Sequence, residues 1–263
     1  MKLSAVIITF NEERNIARCL DSLQDVADEI LVVDSYSTDQ TKSICLQYKV
    51  RFLENNFEGH IQQKNYAMNQ AGSDMILSLD ADEALSDELK KSIQEIKNDK
   101  KAEQIAFAMN RRTNYCGQWI YHSGWYPDRK IRLWNRLSGE WGGVNPHDKV
   151  VLDSNVKIVR LKGDLLHYSF YSIDEHIAQI NKFTTISALE MVERPKSLVL
   201  LKMIFSPGVR FFRDYFLKSG FRDGLRGYII CRNAAYSRFL RYAKLYQLIL
   251  EQQKGQKEKQ ETQ

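Results

Sequence analysis

The first hundred residues alternate between short apolar runs and amphipathic segments. The apolar runs, rich in Val, Ile and Leu, occupy 3–10, 29–34, 50–53 and 75–80. Between these runs, apolar residues recur every three or four positions, which is the period of a helix with one buried face. Strands that alternate with helices in this way are typical of βαβ units. The pattern therefore predicts an α/β fold with a mostly parallel central sheet and flanking helices.

The pattern changes after residue 100. Shorter apolar runs among glycines and aromatic residues predict strands at 105–109, 130–134, 149–152 and 156–161, in an irregular β-rich half at the sheet edge. From 172 onward the chain has the pattern of helices. The predicted division is a first domain over 1–170 with halves at 1–100 and 101–170, a helical region over 171–250, and a tail over 251–263. The tail contains no apolar residue, which predicts disorder.

Composition narrows the class of protein. With 43% hydrophobic and 27% charged residues and a net charge of +5, the chain is of the globular type. Its four cysteines show no C-x-x-C pair, which favours reduced thiols in a cytoplasmic protein over a disulfide. The apolar run after Lys2 is followed at once by polar residues, so we interpret it as a buried strand and not as a signal peptide. No apolar run approaches the roughly 20 residues that span a bilayer.

Acids and short polar groups are concentrated where the predicted strands end. Ligands of open α/β sheets bind beyond the carboxyl ends of the strands. Thr9 and Asn11 lie at the end of the first strand, Asp34 at the end of the second, and Asp80 and Asp82 at the end of the fourth. The sequence therefore predicts that these side chains line one cleft.

Asp80 and Asp82 flank a single small residue at a strand end. A hard divalent cation prefers carboxylate oxygens and keeps places for water and phosphate, so this pair can hold such an ion against a diphosphate. An isolated Asp-x-Asp is a weak motif, and its alternative role is a turn or a helix cap. The strand before it and the acids at the neighbouring strand ends favour the metal site.

Two further side chains suit a nucleotide. The carboxylate of Asp34 can accept the N3 hydrogen of uracil, or it closes an Asx turn at the end of its strand. Lys64 opens the helix before the fourth strand, where it either meets a phosphate or lies on a solvated helix face.

Taken as a set, these residues resemble the family 2 glycosyltransferases of the GT-A fold, and among them the lipopolysaccharide-core β-glucosyltransferases. The segments that carry the resemblance are VIITFNEE at 6–13, ADEILVVDS at 27–35, STD at 37–39, QKN at 63–65, LSLDADE at 77–83, GWYPD at 124–128, RLW at 132–134, HYS at 167–169 and GFRDGLRG at 220–227. The chain departs from the family at Ser35-Tyr36-Ser37, where Ser-Gly-Ser is usual, and at His147-Asp148, where His-Glu is common.

The resemblance implies a UDP-sugar donor, Mg²⁺ or Mn²⁺, and inversion at the anomeric carbon. By position it also implies roles for seven residues. Thr9, Asn11, Glu13, Asp34 and Lys64 would hold the uridine and phosphate side, and Asp80 and Asp82 the ribose and the metal.

Inverting transfer needs a carboxylate base for the acceptor hydroxyl. Asp148 is the first candidate because of its family position, and Asp128 is the second. For either residue the alternative is an ordinary loop acid paired with a neighbouring cation. The shorter Asp in place of the usual Glu leaves the geometry of the base open.

Trp125 and Tyr126 are predicted to line the acceptor site, because aromatic faces suit sugar rings; the alternative is that they fill a core. His147 and His167 either serve the diphosphate or the metal, or are core and loop histidines.

The C-terminal region is basic and aromatic. Residues 194–250 contain twelve Lys and Arg but only two acids, and Phe239, Tyr242 and Tyr246 follow helical spacing. Basic amphipathic helices with aromatic anchors bind anionic membrane surfaces. The alternatives are a helical cap docked on the first domain, or nucleic-acid binding. We favour an anionic membrane surface and expect no nucleic-acid partner, because a lipid-linked acceptor needs the enzyme at that surface.

These expectations combine into one function. The leading hypothesis is a metal-dependent hexosyltransferase that moves glucose from a UDP-sugar to a lipopolysaccharide inner-core acceptor, peripherally bound at the cytoplasmic face of the inner membrane. The first alternative changes the acceptor to polyprenyl phosphate or a capsule glycan. The second is a catalytically silent, membrane-associated module that only binds nucleotide sugars.

Overall fold

The computed structural model describes the backbone over residues 1–144, 147–192 and 198–261. The strands are β1 (Leu3–Thr9), β2 (Glu29–Asp34), β3 (Arg51–Glu54), β4 (Met75–Asp80), β5 (Glu83–Leu85), β6 (Ile105–Tyr115), β7 (Gln118–Trp119), β8 (Asp128–Asn135), β9 (Gly139–Val144), β10 (His147–Leu152) and β11 (Lys157–Phe170). The α-helices are α1 (Ile16–Leu23), α2 (Thr41–Cys45), α3 (His60–Gln70), α4 (Asp87–Lys97), α5 (Ile173–Val192), α6 (Val199–Phe212) and α7 (Gly224–Glu261).

The chain divides into two compact units. The first comprises 1–113 and 127–169, and the second comprises 114–126 and 170–263. The predicted boundary after 170 lies close to the observed one. Residues 114–126 differ from the prediction, because Tyr115 and Ile120 are buried with Phe170 and Ile230 of the second unit.

The main sheet of the first unit has the order β3-β2-β1-β4-β8-β6-β11-β5. The pairs β3–β2, β2–β1 and β1–β4 are parallel, which confirms the α/β class predicted from the alternating pattern. From β8 onward the pairing is antiparallel where β8 meets β4 and β6, and where β5 meets β11. The β-rich half therefore continues the central sheet and does not pack on its edge, because β8 pairs directly with β4.

Both faces of the parallel strands are covered. In β1, Leu3 and Ile7 pack into a cluster with Leu20 of α1, whereas Val6 packs on the opposite face with Ala67 of α3. Strands buried on both faces become continuous apolar runs, which explains why their positions were predictable. The strand ends are consequently held by a rigid platform.

A separate ribbon of β9 and β10 lies against α3. Asn65 Nδ2 donates to the carbonyl of Trp141 at 2.8 Å, and the Trp141 amide donates to Asn65 Oδ1 at 2.9 Å. The indole of Trp141 is buried with α3 residues. These contacts fix β10, which carries Asp148, relative to the helix that carries Lys64.

The second unit is mainly helical. Ala188 of α5 packs with Tyr242 and Leu245 of α7 in one of its clusters. α7 runs to Glu261, so the disorder predicted for 251–263 is wrong for its described part. Gln, Lys and Glu are good helix formers, and they extend a helix already nucleated by packing. Within the described ranges, no helix combines the length and apolar character needed to cross a membrane.

Candidate active site

Three adjacent strands end at one edge of the sheet. The register pairs Thr9 of β1 with Asp34 of β2, and Ile8 of β1 with Asp80 of β4. Neighbouring strands lie about 4.8 Å apart, so these ends are close together. The convergence of polar strand ends predicted from the sequence is confirmed.

Asp80 lies between two buried cations. Its Oδ1 is 2.8 Å from Lys64 Nζ, and its Oδ2 is 2.8 Å from Arg132 Nη2. Burial raises the pKa of Asp80, but Lys64 and Arg132 outweigh it and hold the pKa well below its ordinary value. Lys64 Nζ also lies 2.7 Å from Asp148 Oδ2, so one cation joins two carboxylates. The alternative that Lys64 lies on a solvated helix face is therefore wrong.

Glu83, a buried carboxylate of the first unit, joins this set of ion pairs. It is fully buried, accepts a hydrogen bond from Arg132 Nη2 at 2.7 Å, and lies 3.6 Å from Arg111 Nη1. Arg111 Nη2 in turn lies 2.8 Å from Asp128 Oδ2. The charge network consists of Asp148, Lys64, Asp80, Arg132, Glu83, Arg111 and Asp128. Lys130, 3.2 Å from Asp128 at the outer end, brings the ion-paired groups to four carboxylates and four cations.

Asp82 lies beside this network and contacts an imidazole. His167 Nε2 is 3.1 Å from Asp82 Oδ2. The contact follows from the pairing of β11 with β5, in which His167 lies opposite Glu83. Burial raises the pKa of Asp82, but His167 outweighs it and lowers the pKa below its ordinary value. Of the two roles considered for His167, the structure favours a place beside the acid pair.

The loops after β1 and β2 are fastened together by side chains of the predicted site. Asn11 Oδ1 accepts from the Thr38 amide at 2.8 Å, and Glu13 Oε2 accepts from the Gln40 amide at 2.9 Å. Thr9 is buried, and its Oγ1 has no hydrogen-bond partner among the described residues. Contacts of these three residues with uridine or phosphate stay a prediction.

Asp34 closes the turn after β2. Its carboxylate accepts from the Ser37 amide at 2.7 Å and from Ser37 Oγ at 2.5 Å, which is the turn-closing alternative considered for this residue. Tyr36 within the turn has φ of +61°, a conformation that favours glycine. That backbone explains why glycine is usual at this position in the resembled family.

The family model that matches the chain is that of glycosyl transferase family 2, over residues 4–155. The match includes every member of the charge network. The chain belongs to glycosyl transferase family 2. It is therefore a transferase, and the GT-A-type α/β class implied by the resemblance is confirmed.

Relatives extend this likeness over the rest of the chain. The chain is 33% identical to the lipopolysaccharide core biosynthesis glycosyltransferase LpsC of Rhizobium meliloti, over 94% of this chain and 93% of that protein. It is 31% identical to an uncharacterized glycosyltransferase of Rickettsia felis, over 95% and 91%. The crystal structure of S. aureus TarS 1–349 in complex with UDP aligns with a TM-score of 0.47 and 15% identity, over 97% of this chain and 92% of that chain.

The acid pair of this family 2 member fits a divalent cation in part. Both carboxylate oxygens of Asp80 are engaged by Lys64 and Arg132, which leaves Asp82 as the better-placed metal ligand. No group of three or more His, Cys, Asp or Glu side chains in the described parts is arranged to hold a metal alone. A cation bound against a diphosphate needs only one or two protein ligands; carboxylate oxygens suit Mn²⁺ or Mg²⁺, and neutral imidazole is a common metal ligand. Asp82 and His167 fit an ion whose shell the phosphates complete.

The structure places the remaining predicted residues as follows. Asp128 is held by Arg111 and also lies 3.2 Å from Lys130 Nζ. Trp125 packs with Tyr115 and Phe170 in the second unit, which is the core role considered for it. The ring of Tyr126 lies 5.9 Å from that of Tyr121. An acceptor role for Trp125 and Tyr126 stays a prediction, and the side chain of His147 lies outside the described residues.

Glu12 provides a test of the electrostatics at these strand ends. Burial raises its pKa to about 7, and repulsion from Asp82 contributes in the same direction. The ordinary pKa is 4.5, so the folded protein binds more protons than the unfolded chain between pH 4.5 and 7. The free energy of unfolding attributable to Glu12 should therefore fall as pH rises through this window. We expect Glu12→Gln to be stabilised relative to the wild type at pH 8 but not at pH 4.

Urea unfolding of both proteins at several pH values measures this difference. Glu58→Gln, which changes an exposed carboxyl, should keep the wild-type pH dependence. A Glu12→Gln variant that loses stability with pH as steeply as the wild type would show that Glu12 is not the group responsible.

Proposed function

We propose that this protein transfers a hexose, glucose in the first instance, from a UDP-sugar to a lipopolysaccharide inner-core acceptor with inversion at the anomeric carbon. The observation that supports this most is the 33% identity to a lipopolysaccharide core biosynthesis glycosyltransferase over almost the full length of both chains. The acid at the end of β4 and the charge network behind it provide the chemistry that the transfer requires.

The donor would bind across the three strand ends. Asp34 and Thr9 would face the uridine, and Lys64 would compensate the charge of the diphosphate. Asp82 with His167 would hold Mg²⁺ or Mn²⁺, which neutralises charge on the departing diphosphate. Lys64 already bridges Asp80 and Asp148. The diphosphate of an arriving donor would therefore compete with these two carboxylates for the ammonium group of Lys64.

Asp148 is the better candidate for the base. Lys64 joins Asp148 to Asp80 at the end of β4, where the donor would bind, whereas Asp128 contacts Arg111 and Lys130. Lys64 is also the group that a diphosphate would attract, so donor binding would release Asp148 for its role as base.

The remaining hypotheses differ in acceptor or in activity. A polyprenyl-phosphate or capsule-glycan acceptor would use the same donor site. A silent nucleotide-sugar-binding module would have no need for a carboxylate base at 148, so the presence of Asp148 favours the enzyme. We place the enzyme on the cytoplasmic face of the inner membrane, where a lipid-linked acceptor is presented.

Release of UDP tests the proposal directly. The full chain would be assayed with UDP-glucose, UDP-galactose and UDP-N-acetylglucosamine, with Mn²⁺ or with EDTA. We expect UDP release that requires metal, is fastest with UDP-glucose, and rises when purified lipid A-core is added. If polyprenyl phosphate raises UDP release more than lipid A-core does, the first alternative, a polyprenyl-phosphate acceptor, is favoured. Absence of UDP release with every donor and acceptor would support the silent module.

A further inference from the structure

α6 and the turns that follow it expose an apolar surface. We call this surface the α6 face; its residues are Leu200, Leu201, Ile204, Phe205, Val209, Phe212, Phe216, Leu217, Phe221 and Leu225. Each of these side chains is between 49% and 71% exposed. A soluble surface helix ordinarily presents polar residues to solvent, and contiguous exposed apolar groups mark a site of interaction.

The exposure is not a consequence of loose packing of α6. Val199 and Met203, on its inner side, pack against the cluster that contains Ala188, Tyr242 and Leu245. The inner side of the helix therefore already has its partners in α5 and α7. The α6 face is the second apolar side of the same helix, opposite the partly buried Val199 and Met203.

The charges around this surface are one-sided. Residues 198–228 contain six Lys and Arg and two acids, a local excess of four positive charges. Both acids are buried: Asp214 is held by Arg210 and Arg213, and Asp223 by His122. Within this segment the charged groups that reach solvent are consequently cations, with Lys202 and Arg222 exposed.

α7, which carries the predicted aromatic series, is used for internal packing. Tyr242 of the predicted aromatic series is buried with Leu245. Lys244 Nζ donates to the Asn181 carbonyl at 2.7 Å and to Thr185 Oγ1 at 2.6 Å, both in α5. The face of α7 centred on Tyr242 therefore packs inside the second unit.

We propose that the α6 face docks on an anionic lipid surface, with α6 lying in the plane of the membrane. An apolar face bordered by cations, with no exposed acid in residues 198–228, is complementary to anionic headgroups above acyl chains. The 14 residues of α6 extend about 21 Å, short of the roughly 30 Å hydrocarbon core, so the helix lies along the surface. The inference deepens the proposed function by naming the surface that brings the enzyme to a lipid-linked acceptor.

Vesicle flotation of the full chain tests the docking without any need for catalysis. Vesicles of phosphatidylethanolamine with phosphatidylglycerol would be compared with vesicles of phosphatidylcholine alone. We expect the Ile204→Ser/Phe205→Ser variant to partition at least about tenfold more weakly than the wild type. Lys202→Glu/Arg222→Glu should lose binding to the anionic vesicles, and high salt should weaken the wild type in the same way.

The matched control is Tyr236→Ser/Phe239→Ser on α7, whose rings are 44% exposed. Thermal unfolding would establish that every variant is folded. The proposal is supported if only the α6 variants lose vesicle binding. It is overturned if folded α6 variants float like the wild type, or if the α7 control loses binding instead. It is also overturned if the α6 variants change only the mass measured by analytical ultracentrifugation, which would assign the surface to a second copy of the chain.

The same variants separate this inference from the proposed function. Ile204→Ser/Phe205→Ser should retain UDP release with detergent-dispersed acceptor. Absence of UDP release from the wild type, with flotation intact, would remove the proposed function and leave the docking surface.

Discussion

Replacement of Asp82 with alanine is expected to reduce sugar transfer by at least about a thousandfold, because a bound cation supplies several kcal/mol of charge stabilisation to the leaving diphosphate. Asp82 is the member of the acid pair whose contact is with an imidazole and not with a fixed cation. Its removal should therefore weaken binding of the metal ion, while Lys64 and Arg132 continue to hold Asp80. UDP release with saturating UDP-glucose and a titration of Mn²⁺ measures both effects.

The matched control is Asp87→Ala, which removes a carboxylate whose side chain is 93% exposed. That variant should keep wild-type activity and metal dependence. Transfer by Asp82→Ala at the wild-type rate and with the wild-type metal requirement would show that the ion is held elsewhere. A lower melting temperature would show that a loss of activity results from unfolding. In that case His167→Ala, which removes the second proposed ligand, would be used to test binding of the same ion.

Much of the nucleotide half could be predicted from the sequence because its determinants are local. The apolar runs of β1, β2 and β4 are covered on both faces, so each strand is visible without knowledge of its neighbours. In a parallel sheet, consecutive strands end at the same edge, and the acids that follow them must converge. The sequence therefore predicts that Asp34, Asp80 and Thr9 lie at one edge of the sheet, and the strand register confirms it.

The charge network was missed because its pairs are distant in sequence. Arg132 and Glu83, which share the 2.7 Å contact, are separated by 49 positions and come together only when β8 pairs with β4. The one available signal was a charged residue between Ile131 and Leu133 in an apolar strand. A buried arginine requires acids around it, but the sequence does not show which acids.

The second unit shows a different limit. The basic and aromatic composition of 194–250 predicted an amphipathic surface, and it did not specify which helix presents it. Tyr242 and Phe212 have the same character in sequence, yet Tyr242 is buried against α5 and Phe212 is 55% exposed. Packing between helices decides that difference. Residues 114–126 joined the second unit for the same reason, since Tyr115 and Ile120 are buried beside Phe170.

Replacement of Asp148 with asparagine is expected to lower turnover by about 10²–10⁴-fold, the range associated with loss of a general base. Asparagine has the same shape and keeps an oxygen that can accept from Lys64 Nζ, now 2.7 Å from Asp148 Oδ2. Lys64 should therefore stay in place, and UDP binding, followed by protein fluorescence, should remain largely unchanged. The variant loses only the proton acceptor.

The pH profile distinguishes a base from a residue that merely positions Lys64. Loss of a base removes the acidic limb of the kcat profile, whereas loss of positioning weakens UDP binding at every pH. Asp128→Asn is the matched control, because that carboxylate is held by Arg111 and Lys130 and should be the smaller contributor. Full turnover by Asp148→Asn would remove it as the base, and a larger loss in Asp128→Asn would transfer the role to Asp128.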